Sequence, residues 1–194
     1  MEMIFATTNA GKVREIKKLL GDIDLISMTE AGIDTDMEEN GTTFEENALI
    51  KARAVCKMSS KAAIADDSGL EIDYLGKEPG VHSARFMGHD TPYAVKNAKI
   101  LEMLKDVPED KRTARFVSAI AVVFPNGREI VERGTIEGMI GTESRGTNGF
   151  GYDPIFFIPE KGKYSAELSL EEKNKISHRS KAAEKIKKRL EEMS

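Results

Sequence analysis

The chain has 194 residues, of which 40% are apolar and 32% charged, and its net charge is −4. This composition indicates one compact globular domain and excludes a disordered or membrane-spanning chain. The net acidity argues against a general nucleic-acid-binding protein, although a local basic pocket can still bind a small anion. Cys56 is the only cysteine, which excludes a disulfide scaffold and a cysteine-based zinc site within one chain. The acidic start, MEMIFATT, lacks the features of a signal peptide, so we expect a cytoplasmic protein with no membrane partner.

The first part of the chain alternates apolar strand-like runs with helical patterns. Strands are predicted over 2–7, 24–28, 62–66 and 70–75, and helices over 11–20 and 43–59. The second helix begins at a capping box formed by Thr43 and Glu46, after a polar and acidic loop at 30–42.

The second part of the chain contains a long predicted hairpin. Its strands cover 112–124 and 128–140 and are joined by an Asn126-Gly127 turn. Before this hairpin, a helix is predicted over 91–105 with Pro92 at its first position. After it, the prediction has a short strand over 154–158, a capping box at 169–172 and a helix over 177–193. Strands and helices that alternate around one long hairpin predict an α/β fold with a mixed sheet.

The segment TTNAGK, residues 7–12, lies between the first predicted strand and the first predicted helix. Ligands of α/β proteins bind at the carboxyl ends of strands, where a helix N-terminus offers N–H groups and a positive dipole end to an anion. Hydroxyl and amide donors, the small Gly11 and the charge of Lys12 suit a phosphate chain, although the usual P-loop spacing is absent. The alternative is a plain helix start, with Asn9 as the cap and Lys12 in solvent.

Two pairs of acids are candidates for a metal site. Glu38 and Glu39 lie in the acidic loop, and Asp66 and Asp67 are predicted at the end of a buried strand. Adjacent strand residues point to opposite faces, so at most one of the two Asp residues is expected to face a given site. One Glu and one Asp would supply the hard oxygen ligands that Mg²⁺ needs beside substrate phosphate and water. The alternatives are a solvated acidic loop and a turn formed by the DSG sequence.

A basic cluster, EEKNKISHRS, occupies residues 171–180. Ser177 is predicted to cap the last helix, which places His178 and Arg179 in the first turn, where the helix dipole disfavours cations. An anion bound at this place would explain both residues, and Arg offers a bidentate fork to phosphate. The alternative is a basic surface helix, which the downstream sequence KIKKRL indicates for its own segment.

The sequence RGTNGFGYDPIFF, residues 145–157, suggests a glycine-rich phosphate loop. Two aromatic residues stand among its glycines, and Asp153 follows at once. A carboxylate repels a phosphate, so the residues alone leave open which part of a ligand the loop binds. The alternative is a glycine-rich turn whose aromatic side chains belong to the core, which is our interpretation of 156–157.

Taken together, these segments resemble the inosine triphosphate pyrophosphatase family of house-cleaning nucleotide hydrolases. The resemblance covers nearly the whole chain and rests on five motifs in this order: TTNAGK (7–12), EENGTTFEENALIKA (38–52), ADDSGL (65–70), GTNGFGYDPIF (146–156) and EEKNKISHRSKA (171–182). One position departs from the family pattern, since Thr8 stands where the family often has Gly. The resemblance implies one domain, 1–194, with an elongated mixed β-sheet flanked by helices and two lobes around a central nucleotide-binding cleft. It also implies a homodimer.

The resemblance further implies the reaction and its metal. The family splits non-standard purine nucleoside triphosphates (ITP, dITP and XTP) between the α and β phosphorus atoms, giving a nucleoside monophosphate and pyrophosphate, with Mg²⁺ as cofactor. Glu39 and Asp67 match the metal ligands, and Asp67 also matches the catalytic proton acceptor. We expect Asp67 and the metal to position and deprotonate the attacking water together.

The family's substrate-binding positions can also be carried over to this chain. The triphosphate would contact Thr7, Thr8, Asn9, Ala10, Gly11, Lys12 and Lys51, and Ser68 would also touch the substrate. The base pocket would be formed by Phe150, Gly151, Tyr152 and Asp153, and both base and phosphates would contact Lys173, His178 and Arg179. On this interpretation, the glycines let backbone amides approach a purine edge, an aromatic ring stacks on the base and the acid accepts from ring N–H groups.

Two functions from other classes are weaker alternatives. A non-catalytic nucleotide sensor could use the same pocket, but it would not need both Glu39 and Asp67. An RNA-associated protein could use the basic C-terminal helix, but the chain is acidic overall and has no stripe of alternating aromatic and basic residues.

Overall fold

The computed structural model describes residues 2–21, 23–35 and 37–193. The strands are β1 (Glu2–Phe5), β2 (Asp24–Ser27), β3 (Ala63–Ile72), β4 (Thr113–Val123), β5 (Glu129–Ile140), β6 (Phe156–Ile158) and β7 (Lys163–Tyr164). The helices are α1 (Ala10–Leu19), α2 (Phe44–Ser59), α3 (Tyr93–Met103), α4 (Leu170–Asn174) and α5 (His178–Glu191).

The strands form a seven-stranded sheet in the order β2-β1-β3-β4-β5-β6-β7. β1 runs parallel to both β2 and β3, whereas β6 is antiparallel to both β5 and β7. Both strand orientations therefore occur in one sheet, and the predicted α/β fold with a mixed sheet is confirmed. Parallel pairing at one end follows from the helices that connect the first three strands, because a parallel crossover needs such a connection.

The chain divides into two compact units. The first unit comprises Met1–Ser68, Ser118–Gly134 and His178–Ser194, and the second comprises Gly69–Val117 and Thr135–Ser177. Each unit has its own apolar core. The first core includes Phe5, Ile16, Ile64, Ile120 and Ile186, and the second includes Leu70, Ile100, Phe116, Ile136 and Phe156.

The predicted break between two strands near residue 68 is wrong. Residues 63–72 form the single strand β3, so Asp66 and Asp67 lie within a strand and not at its end. The turn preference of the DSG sequence is overridden because eight of the ten residues of this strand are buried between neighbouring strands. Residues 73–75, predicted as strand, form a 3-10 turn that ends at Gly76, whose φ is +64°.

Helix starts agree closely with the sequence patterns. Both predicted capping boxes are present, Thr43 with Glu46 before α2 and Ser169 with Glu172 before α4. Pro92 is the residue before α3 and not its first residue.

The strand predicted over 154–158 is shorter, because residues 153–155 form a 3-10 turn around Pro154, which has no N–H to donate to a sheet. Among the described residues, no helix is long and apolar enough to cross a membrane.

Candidate active site

The start of α1 combines a cap with a buried ion pair. Asn9 Oδ1 accepts hydrogen bonds from the backbone N–H groups of Gly11 (2.9 Å) and Lys12 (3.1 Å), as the plain helix-start alternative requires. Lys12, however, is not in solvent. Its Nζ lies 3.0 Å from Asp66 Oδ2 and donates to the Asp66 backbone oxygen at 3.2 Å. The segment therefore places a lysine ammonium against the middle of β3 and leaves 8–10 exposed.

Asp66 is fully buried and lies at the centre of a polar cluster. Its carboxylate accepts from Ser118 Oγ at 2.5 Å and from Ser68 Oγ at 3.0 Å, in addition to its ion pair with Lys12. Burial alone would raise the pKa of this carboxyl, but the charges of Arg179 and Lys12 and the hydroxyl of Ser118 outweigh it and hold the pKa far below its usual range. Asp66 is therefore ionised throughout the physiological pH range.

Arg179 joins the same cluster from the second residue of α5. Its Nε and Nη2 lie 3.4 Å from Asp66 Oδ2, its Nη2 donates to Ser68 Oγ at 2.8 Å, and its Nη1 is bonded to Glu15 of α1. The predicted anion at the start of this helix is thus supplied at least in part by protein carboxylates. His178, the first residue of α5, is also buried.

Asp67 belongs to a different group of side chains, as strand alternation predicts. Lys51 of α2 donates from Nζ to Asp67 Oδ1 (2.9 Å), to Glu39 Oε1 (2.6 Å) and to the backbone oxygen of Asp66 (3.0 Å). Because one ammonium bonds both carboxylates, the predicted pair of Glu39 and Asp67 is brought together. Burial lowers the pKa of Lys51, but these two carboxylates outweigh it, so the pKa is raised and Lys51 stays charged.

One oxygen of Asp67 has no partner among the residues that the structure describes. Oδ2 is buried and bonds no group within the described part of the chain. Burial raises the pKa of this carboxyl, and Lys51 and Lys12 offset the effect only in part. A buried, unsatisfied carboxylate oxygen is costly unless a ligand completes it.

The donor set fits magnesium better than a transition metal. Within 2–21, 23–35 and 37–193, no group of three or more His, Cys, Asp or Glu side chains could hold a metal by itself. Magnesium keeps several waters and uses one or two carboxylates plus substrate phosphates, and Glu39 with Asp67 supplies two carboxylates. The free Asp67 Oδ2 is the hard oxygen that such an ion would take first.

In the second unit, Asp153 organises the loop 145–157. Its Oδ2 accepts from the backbone N–H of Phe150 (2.9 Å) and from Lys173 Nζ (2.8 Å), while its Oδ1 accepts from Ser165 Oγ (2.7 Å). Asp153 therefore has a structural role in this glycine-rich loop, because its carboxylate holds the backbone of Phe150 and the ammonium of Lys173 in place.

The two aromatic residues that stand among the glycines, Phe150 and Tyr152, have different environments. Tyr152 is a core residue, because its hydroxyl donates to the Ser83 backbone oxygen at 2.7 Å and its ring packs edge-on against Tyr93 at 5.2 Å. Phe150 is only partly buried, and the Lys173 ammonium lies 5.1 Å from its ring centroid. Of these two rings, Phe150 is therefore the one with surface available to a ligand.

We expect Gly149→Ala to disturb this loop. Gly149 has a φ of +75°, and a Cβ atom there would overlap Asp153 Oδ2. Loss of stability should reach about 2–3 kcal/mol, measured by urea unfolding, because positive φ and the overlap act together. Gly162→Ala is the matched control, since Gly162 has a similar φ of +61° but open space around its missing Cβ. Equal losses for the two variants would contradict a specific contact between Gly149 and Asp153.

Sequence patterns missed several members of these clusters. Ser118, Glu15 and Ser165 complete the hydrogen bonding of Arg179 and the buried acids, but each is far from its partners in sequence. The sequence presents Asp66 and Asp67 as two adjacent acids, and no feature of the neighbouring residues indicates which of them belongs to which cluster.

Comparison with known proteins gives the family. A family model described as the Ham1 family matches residues 3–189. The dITP/XTP pyrophosphatase of Exiguobacterium sibiricum is 48% identical over 188 residues, which is 96% of this chain and 95% of that protein. The dITP/XTP pyrophosphatase of Bacillus subtilis is 49% identical over 192 residues, covering 98% and 97%. The chain belongs to the Ham1 family, and the family predicted from the five motifs is confirmed.

Solved structures of relatives have the same fold. The structure of the Staphylococcus aureus Ham1 protein superposes with a TM-score of 0.90 at 40% identity and covers 100% of both chains. A HAM1 protein from Coxiella burnetii gives a TM-score of 0.90 at 42% identity and covers 99% of both.

Proposed function

We propose that this protein hydrolyses non-standard purine nucleoside triphosphates (ITP, dITP and XTP) to a nucleoside monophosphate and pyrophosphate. The observation that carries the proposal is the buried, unpartnered Oδ2 of Asp67 beside Glu39 and Lys51. The names of the relatives, dITP/XTP pyrophosphatases, support the same reaction.

Asp67 and Glu39 are the proposed ligands of Mg²⁺. When bound, the ion would supply positive charge to the triphosphate and lower the pKa of water. With the ion bound, Asp67 and the metal would together position and deprotonate the attacking water. Lys51 keeps both carboxylates in place, because its ammonium bonds one oxygen of each.

The proposed triphosphate site is built on the first unit. Lys12 supplies a charge whose position is fixed by Asp66, and the exposed 8–10 segment supplies backbone and side-chain donors. Ser68 and Arg179 bond Asp66, and His178 precedes Arg179 at the start of α5. We propose that these three residues add donors to the phosphates. The charge that develops on the departing pyrophosphate is stabilised by these cations.

The proposed base site is built on the second unit. Phe150 stacks on the purine, and Lys173 and the backbone of 150–153 face its edge. Donors directed at a 6-keto oxygen would meet the amino group of adenine, so ATP would leave them unpaired. Hydrogen-bonding sites of this kind discriminate by orders of magnitude. We further propose that the protein acts in the cytoplasm as a homodimer, as the family resemblance implies.

The substrate range provides the direct test. Pyrophosphate release should be rapid for ITP, dITP and XTP with Mg²⁺, at least about 100-fold slower for ATP, and abolished by EDTA. No release from any nucleotide would leave a binding protein as the remaining interpretation. Equal rates for ATP and ITP would keep the hydrolase but remove its selectivity for non-standard bases.

A further inference from the structure

Asn97 connects helix α3 to the loop that carries Phe150. The side chain is 3% exposed, and its Nδ2 donates to the backbone oxygen of Gly151 at 3.1 Å. Its Oδ1 is buried and has no partner among the residues that the structure describes. An unsatisfied buried amide oxygen costs free energy of folding. Because the protein keeps this amide, we infer that its hydrogen bond to Gly151 has a role other than packing.

Tyr93 of α3 supports the same loop, and Lys96 packs against Tyr93. Tyr93, one turn earlier, packs edge-on against Tyr152, and its ring lies 3.6 Å from the place where a side chain on Gly151 would begin. Lys96 is buried and donates to the Ala84 backbone oxygen at 2.6 Å, with its ammonium 4.8 Å from the Tyr93 ring centroid. The first two turns of α3 therefore hold the loop through a ring contact and a hydrogen bond.

The bond from Asn97 fixes the orientation of one peptide group. A trans peptide is planar, so its C=O and N–H point in opposite directions. The Gly151–Tyr152 peptide is trans, and its C=O is directed at Asn97. The N–H of Tyr152 is consequently directed away from Asn97, and within the described residues no acceptor bonds it or the N–H of Gly151.

We propose that Asn97 is a positioning residue for base selection. It orients the Gly151–Tyr152 peptide so that backbone N–H groups of the loop are presented to an acceptor, the keto oxygen of a purine. This inference rests on the proposed function, because it assigns a role to Asn97 in the base site described above. Asn97 itself need not touch the substrate.

Replacement of Asn97 by Leu tests the inference. Leu has nearly the same shape, removes the bond to Gly151 and also removes the unsatisfied Oδ1, so the fold should be largely retained. We expect KM for ITP to rise about tenfold with kcat changed less than about threefold, and the ITP-to-ATP ratio of kcat/KM to fall about tenfold. Hydrogen exchange in a peptide covering 146–156 should also accelerate.

Two further variants make the result decisive. Ile100→Ala weakens the packing of the same helix but keeps the bond from Asn97 to Gly151, and it should lower Tm while KM and selectivity stay as in the wild type. Asn97→Asp keeps a polar side chain but loses the donor, and it serves if the Leu variant does not fold. Wild-type KM and selectivity in a folded Asn97 variant would overturn the positioning role. Absence of ITP hydrolysis in the wild type would instead overturn the proposed function.

Discussion

Asp67→Asn is expected to lower kcat for ITP about a thousandfold while the protein remains folded. Asn keeps the shape of the side chain but removes the negative charge and the basic oxygen that water activation needs. Stability should not fall at pH 7, because burial already raises the pKa of Asp67 and so opposes its ionised form in the folded protein. Steady-state pyrophosphate release and thermal unfolding measure the two effects separately.

Glu38→Gln is the matched control for this variant. Glu38 is an exposed acid next to Glu39 in the same loop, so its loss changes the local charge equally but removes no member of the Asp67 cluster. Its kcat should stay within about twofold of wild type, as for a surface substitution. Substantial turnover by a folded Asp67→Asn protein would remove this carboxylate from the mechanism.

Arg179→Met is expected to destabilise the protein by about 3–5 kcal/mol, because breaking a buried ion pair leaves uncompensated charge. Arg179 is 2% exposed and bonds both Asp66 and Glu15, which would then lose their shared cation. For a chain of this length the loss corresponds to a Tm lower by about 10 °C. The pKa of Asp66 is lower in the folded protein than in the unfolded chain. The ionised carboxylate therefore contributes its full stabilisation above about pH 4, and this stabilisation is lost as the pH falls below that value.

Two comparisons isolate the ion network. Arg189→Met removes an exposed cation from the same helix, whose ion pairs are longer than 3.5 Å, and should cost less than about 1 kcal/mol. Adding Glu15→Gln to Arg179→Met should recover part of the stability, since one of the two abandoned carboxylates becomes neutral. A loss from Arg179→Met no greater than that from Arg189→Met would contradict a structural role for this network.

Sequence patterns correctly predicted the features that depend on interactions between residues close in sequence. The capping boxes at Thr43 and Ser169, the helices they begin and the mixed sheet follow from short-range sequence features. The continuity of β3 does not, because it depends on burial by neighbouring strands. Asp66 meets Ser118 and Arg179, which are 52 and 113 positions away in sequence. Which acid would join which cluster was therefore settled by tertiary contacts alone.

The two adjacent acids of β3 also constrain how the gene can change. Asp66 and Asp67 differ by one position in a strand whose side chains alternate, so they are out of phase and cannot substitute for each other. A single-codon deletion at the start of this strand would move Asp67 to the position of Asp66 and Ser68 to the position of Asp67, so Lys51 would lose its carboxylate partner on β3. Insertions and deletions should therefore be tolerated in the loops on either side of β3 and be lethal to function within 63–67.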